Sequence, residues 1–99
     1  MHHQIERNTT ARAAHTYVRS RDLPSLIPLW PHELETQSAA EHAALLARMR
    51  RALRNERQRG IAGHWAYDLA RHAQLLRAYR SETNAYLRQY GGNASGPRA

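Results

Sequence analysis

The stretch from Ser38 to Gly60 constrains the fold most, because it predicts one long amphipathic helix. It contains no Pro and no internal Gly, and Ser38 with Glu41 three residues later forms a capping-box pattern. At about 100° per residue, one helix face collects the apolar side chains together with two polar ones. That face consists of His42, Leu45, Leu46, Met49, Ala52, Leu53 and Glu56. The pattern predicts a helix over residues 39–59.

A further long helix is predicted over residues 64–90, where apolar and aromatic side chains recur at alternating spacings of four and three. These side chains are Trp65, Leu69, His72, Leu76, Tyr79, Thr83, Tyr86 and Tyr90. We expect Gly60 to Gly63 to form a turn between the helices, since glycine inside a helix costs about 1 kcal/mol relative to alanine. A single unbroken helix is the alternative.

The turn would fold the two helices into an antiparallel hairpin. Equal rise in both helices fixes which residues then face each other. The expected pairs are Met49 with His72, His42 with Tyr79, and Glu56 with Trp65. His42, Glu56 and His72 fall on apolar stripes, and polar groups in such seams usually fix the pairing register.

The remainder of the chain predicts a covering layer for this hairpin. Residues 5–21 permit a short helix with a weak apolar stripe, and Pro24, Pro28 and Pro31 make the following segment an irregular apolar connector. Two helices alone leave apolar surface in water, so the first helix and the connector are expected to cover one side. We predict an all-α, three-helix single domain over residues 1–92 and a disordered tail over 93–99.

Composition points to an anionic partner. The 99 residues carry 15 basic and 8 acidic side chains, giving a formal charge of +7, and all the basic ones are Arg. No Cys is present, which excludes disulfides and thiolate metal sites. No apolar run reaches the length of a membrane span and the start lacks a signal-peptide pattern, so we expect a cytoplasmic protein without stable membrane insertion.

The basic charge is concentrated in one part of the predicted helix over 39–59. The six candidate residues for binding an anionic partner are Arg48, Arg50, Arg51, Arg54, Arg57 and Arg59. Guanidinium groups bind phosphates and carboxylates through paired hydrogen bonds. The alternative is a solvated helix face whose long side chains pack along the edge of the core.

A second set of residues is expected to serve as protein-interface or core anchors, because aromatic and apolar side chains at helical spacing pack in cores or in interfaces. The set consists of Trp30, Trp65, Leu69, His72, Leu76, Tyr79 and Tyr86. Trp30 is either a binding anchor or a lid folded back on the hairpin. The long, heptad-like helix over residues 64–90 and the sparse core also predict a homodimer.

No residue pattern indicates catalysis or a cofactor. His64, His72 and Asp68 are the residues to consider for a metal, because Asp68 and His72 lie one helical turn apart and could both face a cation. Three well-placed ligands would however require His42 from the other helix, and an Asp and a His at this spacing more often make an ordinary side-chain contact. We therefore assign no catalytic, cofactor-binding or metal site. We expect a non-enzymatic regulatory or adaptor protein that binds an acidic protein through the hairpin. The alternative is largely sequence-independent nucleic-acid binding through the arginine-rich helix.

Overall fold

The protein is all-α, and a computed structural model describes its residues 16–91. The α-helices are α1 (Arg19–Asp22), α2 (Ala39–Ala62) and α3 (Leu69–Tyr86). Two 3₁₀ turns, Leu23–Ser25 and Pro31–Leu34, lie between α1 and α2, and a π-helical turn, Leu87–Gly91, follows α3. No strand occurs within residues 16–91. The predicted fold class is confirmed.

The N-terminal part differs from the predicted helix over 5–21. Residues 5–15 and the predicted tail over 93–99 lie outside the described residues. Val18 is extended (φ −130°, ψ 119°), and its N–H donates to Asp22 Oδ2 at 2.8 Å, so the helix begins only at Arg19. Pro24 sits at the start of the 3₁₀ turn that follows.

Helix α2 begins where the sequence predicts and ends three residues later than predicted. Ser38 Oγ accepts a hydrogen bond from the Glu41 N–H at 3.1 Å. The helix continues through Gly60 and ends at Gly63, whose φ of 66° is left-handed. The His64 N–H donates to the Arg59 carbonyl at 2.9 Å, a pairing typical of glycine-terminated helices.

The connection to α3 is longer than the predicted turn, because residues 63–68 form a loop that packs on α2. The Tyr67 ring lies so close to Gly60 that a Cβ there would meet Tyr67 Cε1 at 3.0 Å. Glycine at this helical position therefore makes room for an aromatic ring. Asp68 caps α3 through Oδ1, which accepts from the Arg71 N–H at 3.1 Å. The helix consequently starts at Leu69 rather than at His64.

The longer loop also changes the hairpin register. Glu56 contacts Arg71 rather than Trp65, and His42 contacts Glu82 rather than Tyr79. These two predicted pairs are wrong, and α3 is displaced so that residues nearer its C-terminal end face α2. The two polar residues predicted in the α2 seam, His42 and Glu56, are indeed buried, with 3% of each exposed.

The core lies between α2, α3 and the connector. Its buried apolar side chains are Leu23, Leu26, Ile27, Leu45, Leu46, Met49, Leu75 and Ala78. The predicted face of α2 is confirmed. The buried face of α3 instead runs through Leu75, Ala78 and Glu82, a rotation from the predicted stripe. The connector covers one side of the hairpin with Leu23, Leu26 and Ile27, as the sequence predicts.

Candidate functional site

Two of the six clustered arginines are engaged in the fold. Arg48 Nη1 donates to Glu33 Oε2 at 2.6 Å, and its other terminal nitrogen donates to the Pro28 carbonyl. Arg59 Nη1 donates to Glu56 Oε2 at 3.0 Å. These two side chains tie α2 to the connector and to a buried carboxylate, so they contribute little to a surface for another molecule.

Three other arginines form what we call the basic strip: Arg50, Arg54 and Arg57. They are exposed and lie within about 60° of one another on α2 by helical geometry. No carboxylate among residues 16–91 lies within salt-bridge distance of them. Arg51 is also unpaired there, but it projects from a different part of the helix. The strip is therefore a run of uncompensated positive charge.

The basic strip borders the side of the hairpin that the connector leaves uncovered. Arg50 Nη1 lies 3.4 Å from Tyr79 Oη on α3, which places the two edges side by side. His72, Leu76 and Tyr79 are half-buried along this edge of α3. Arg48, on the opposite flank of α2, contacts the connector instead. The uncovered side thus combines apolar and aromatic surface with unpaired arginines.

The predicted anchors occupy three different environments. Tyr79 and Tyr86 pack against the core, and the Tyr86 ring meets the His42 ring edge-on at a centroid distance of 5.4 Å. Trp30 is 70% exposed, so it does not form a lid on the hairpin. Trp65 is 90% exposed and stacks on the neighbouring His64 ring.

Trp65 belongs to what we call the hairpin tip, which consists of Ile61, Trp65 and Leu69. Ile61 and Leu69 are 72% and 71% exposed. All three lie within residues 61–69, which comprise the last two residues of α2, the loop over 63–68 and the first residue of α3. Large apolar side chains gathered in solvent at one end of a domain mark a candidate contact surface.

A buried charge network, which we call the Glu82 cluster, holds the other end of the hairpin. Glu82 is 3% exposed and accepts from Tyr17 Oη at 2.6 Å, from Arg19 Nε at 2.8 Å and from Arg19 Nη2 at 2.6 Å. His42 Nε2 lies 3.0 Å from Glu82 Oε1 and 3.2 Å from Arg19 Nη2. Arg19 Nη1 also donates to the Leu34 carbonyl at 2.9 Å.

The electrostatics of the Glu82 cluster follow from these contacts. Burial acts to raise the pKa of Glu82, but hydrogen bonds from Arg19, Tyr17 and His42 and the charge of Arg19 outweigh it, so the pKa is lowered. Burial and the contact with Glu82 raise the pKa of the Tyr17 hydroxyl. The cluster therefore contains an ionised carboxylate, a guanidinium and a neutral phenol.

Glu56 forms a second buried acceptor, on the hairpin half nearer the tip. Arg71 donates to Glu56 Oε2 and to the Leu26 carbonyl, so one guanidinium links α3, α2 and the connector. Arg59 supplies the other donor to Glu56. Each of the two buried carboxylates, Glu56 and Glu82, thus forms an ion pair with an arginine of another element.

The residues considered for a metal are used in other ways. The Tyr67 hydroxyl lies 2.9 Å from His72 Nδ1, Asp68 caps α3, and His64 Nδ1 accepts from the Ala66 N–H at 3.0 Å. Among residues 16–91, no group of three or more His, Asp or Glu side chains is placed to hold a metal ion.

A groove of about 450 Å³ lies where residues 32–37 meet the first half of α2. We call it the acidic groove, since three of its lining residues are carboxylates and one is an arginine. Its lining consists of His32, Glu33, Glu35, Thr36, Gln37, Glu41, Ala44, Leu45 and Arg48. Hydrogen bonds from the Trp30 N–H and from Arg48 lower the pKa of Glu33. The Glu35 carboxylate has no hydrogen-bond or ion-pair partner among the described residues.

The fold and the surface of residues 16–91 define a small basic helical hairpin with one side that the connector leaves uncovered and that arginines border. The chain matches no model of a known protein family, and neither curated proteins nor solved structures show a match to it. Within residues 16–91, no helix combines the length and apolar character needed to cross a bilayer.

Sequence reasoning missed several residues that organise these surfaces. Tyr17, Arg19 and Glu82 build the Glu82 cluster, and Arg71 holds Glu56. One signal was present: Leu75, Ala78 and Glu82 are spaced by three and four, so they share a helix face. Ile61 at the tip carried no signal, because its exposure depends on how the loop leaves α2.

Proposed function

We propose that this chain is a non-enzymatic regulatory or adaptor protein that binds an acidic partner protein through the uncovered side of its helical hairpin. The observation that supports it is the basic strip of Arg50, Arg54 and Arg57, which has no carboxylate partner among the described residues and lies beside the half-buried Leu76 and Tyr79. A surface of this kind can attract carboxylates and bury apolar area in the same contact.

The arrangement favours a protein over a nucleic acid. The strip places three charges along about 10 Å of helix axis, which is a short track for a phosphate backbone. The neighbouring edge of α3 offers Leu76 and Tyr79 to a partner, and apolar side chains of this kind contribute to protein interfaces. Nucleic-acid binding through the same arginines is the alternative, supported by their lack of carboxylate partners.

Photo-crosslinking tests the proposed surface directly. A photoreactive residue at Leu76, on the uncovered side, is compared with one at Gln74, which lies beside the connector in a separate groove. We expect Leu76 to crosslink an acidic protein and Gln74 not to. Equal labelling from both positions would remove the uncovered side as the binding surface.

Binding measurements with the purified partner that crosslinking identifies test the role of the basic strip. The variant Arg50→Glu with Arg54→Glu should lower the association rate at least tenfold and leave most of the dissociation rate unchanged, because exposed charges act mainly on encounter. Arg77→Glu, an exposed arginine near the connector, is the matched control. If both variants bind like the wild type, the strip is a solvated face.

Fluorescence anisotropy of labelled duplex DNA and single-stranded RNA decides the alternative. Three phosphate contacts would give a slope of about −2.7 in log K against log salt concentration. We expect no saturable binding at physiological salt. Tight binding with that slope, abolished by Arg50→Glu with Arg54→Glu, would replace the acidic protein with nucleic acid.

A further inference from the structure

The hairpin tip presents apolar side chains that the fold leaves in water. Ile61, Trp65 and Leu69 are each more than 70% exposed. Arg57 lies one helical turn before Ile61 and has no carboxylate partner among residues 16–91. The tip is therefore an apolar projection with an adjacent positive charge.

The acidic groove has the complementary chemistry. Ala44 and Leu45 of α2 supply an apolar floor, and Leu45 is 4% exposed. Glu33 is engaged by Arg48, whereas Glu41 accepts only the Gln37 N–H. With the unpaired Glu35, the rim carries an excess of negative charge. A groove of this type accommodates an apolar side chain that brings a cation with it.

We propose that the hairpin tip of one copy of the chain binds in the acidic groove of a second copy. Apolar side chains meet an apolar floor, and Arg57 approaches the carboxylates of the rim. Glu41 and Ile61 stand about 30 Å apart along α2, so a tip cannot reach the groove of its own chain. This inference shares Arg57 with the basic strip, but the apolar tip and the acidic groove lie outside the surface of the proposed function, so it does not depend on that proposal.

A contact between two different surfaces is heterologous, and it leaves one free tip and one free groove at the ends of each assembly. Sedimentation velocity of the full chain should therefore show an average mass that keeps rising with protein concentration. The same series at higher salt should show weaker association, because exposed charges of opposite sign contribute to it. A wild-type protein that stays monomeric from low micromolar to submillimolar concentration would overturn the inference.

Two variants separate the two surfaces. Trp65→Ser removes the main apolar side chain of the tip, and Glu35→Arg reverses a charge on the groove rim. Both residues are exposed, so the far-UV circular dichroism and melting of each variant should match the wild type. Each variant alone is expected to lose most of its self-association. Arg80→Glu, an exposed charge on α3 away from both surfaces, should associate like the wild type.

Mixing the two variants gives the decisive result. The Trp65→Ser chain keeps an intact groove and the Glu35→Arg chain keeps an intact tip, so an equimolar mixture should form a one-to-one dimer and nothing larger. A mixture that stays monomeric, at concentrations where the wild type associates, would show that the copies do not pair tip to groove. A wild-type dimer that persists in both the Trp65→Ser and the Glu35→Arg variant would overturn the inference as well.

Discussion

Removal of the Glu82 carboxylate should destabilise the fold strongly. Glu82→Met replaces the acceptor by an apolar side chain of similar length. Arg19 would keep its charge with only 22% of its side chain exposed, and Tyr17 and His42 would lose their partner. Breaking a buried ion pair by removing one member costs about 3–5 kcal/mol.

The expected loss of unfolding free energy depends on how exposed Arg19 is and on the hydrogen bonds that it keeps in the variant. Its Nη1 still donates to the Leu34 carbonyl and to Thr36 Oγ1, so the loss should fall at the lower end, about 3 kcal/mol. A domain of this size unfolds with roughly 5–15 kcal/mol, and such a loss is a large part of it.

Urea denaturation followed by circular dichroism measures the effect, and a double-mutant cycle assigns it. The double variant Arg19→Met with Glu82→Met removes both charges. Its loss of unfolding free energy should therefore be smaller than the sum of the two single losses, by about 2 kcal/mol or more. Glu35→Met, which removes an exposed carboxylate, is the control and should stay within about 0.5 kcal/mol of the wild type. A loss below about 1 kcal/mol for Glu82→Met, or additive single effects, would refute this account of the cluster.

The same carboxylate predicts an acid dependence. Because the folded pKa of Glu82 is lowered, the unfolded state takes up a proton first as the pH falls through the ordinary glutamate range of about 4.3. The stability that Glu82 contributes is therefore complete above that range and is lost as the pH falls through the folded pKa. In Glu82→Gln, this part of the acid-induced loss should be missing.

Four smaller changes test the local structure, each by urea denaturation. Gly63→Ala should cost about 1–2 kcal/mol, because φ is 66° there. Gly60→Ala should change stability little, since the gain in helix propensity is offset by the contact of the new Cβ with the Tyr67 ring. A larger loss for Gly60→Ala than for Gly63→Ala would contradict the end of α2 at Ala62. Ser38→Ala should cost about 1 kcal/mol through the lost cap, and an unchanged stability would show that the cap is dispensable. Trp65→Ser should stay within about 0.5 kcal/mol of the wild type because the side chain is exposed; a larger loss would place it in the fold.

Helix α2 could be predicted closely because its signals are local. Ser38 and Glu41 are three residues apart, and the buried face from His42 to Glu56 follows helical periodicity alone. Gly63 is also a local signal for the helix end. Gly60 misled the prediction because its role is tertiary: it makes room for the Tyr67 ring, which no helix propensity expresses.

Helix α3 was predicted with the wrong face for a related reason. Leu69, Leu76 and Tyr79 are larger and more apolar than Ala78 and the charged Glu82. Hydrophobic periodicity alone therefore predicted that the face with Leu69, Leu76 and Tyr79 is buried. Burial of Glu82 depends on Arg19, which is 63 residues away in the chain. Without knowledge of that contact, Glu82 is predicted to face solvent. The predicted face of α3, and with it the predicted register of the hairpin, is then wrong.

The arginines can now be divided by what they do for the fold. Arg19 and Arg71 each bridge three or more segments through several donors, an arrangement that the guanidinium fork permits and a lysine ammonium would not reproduce. Those of the basic strip hold no carboxylate. The fold therefore does not use the charges to which we assign the proposed partner binding, and reversing Arg50 or Arg54 should leave the free energy of unfolding nearly unchanged while lowering the proposed association.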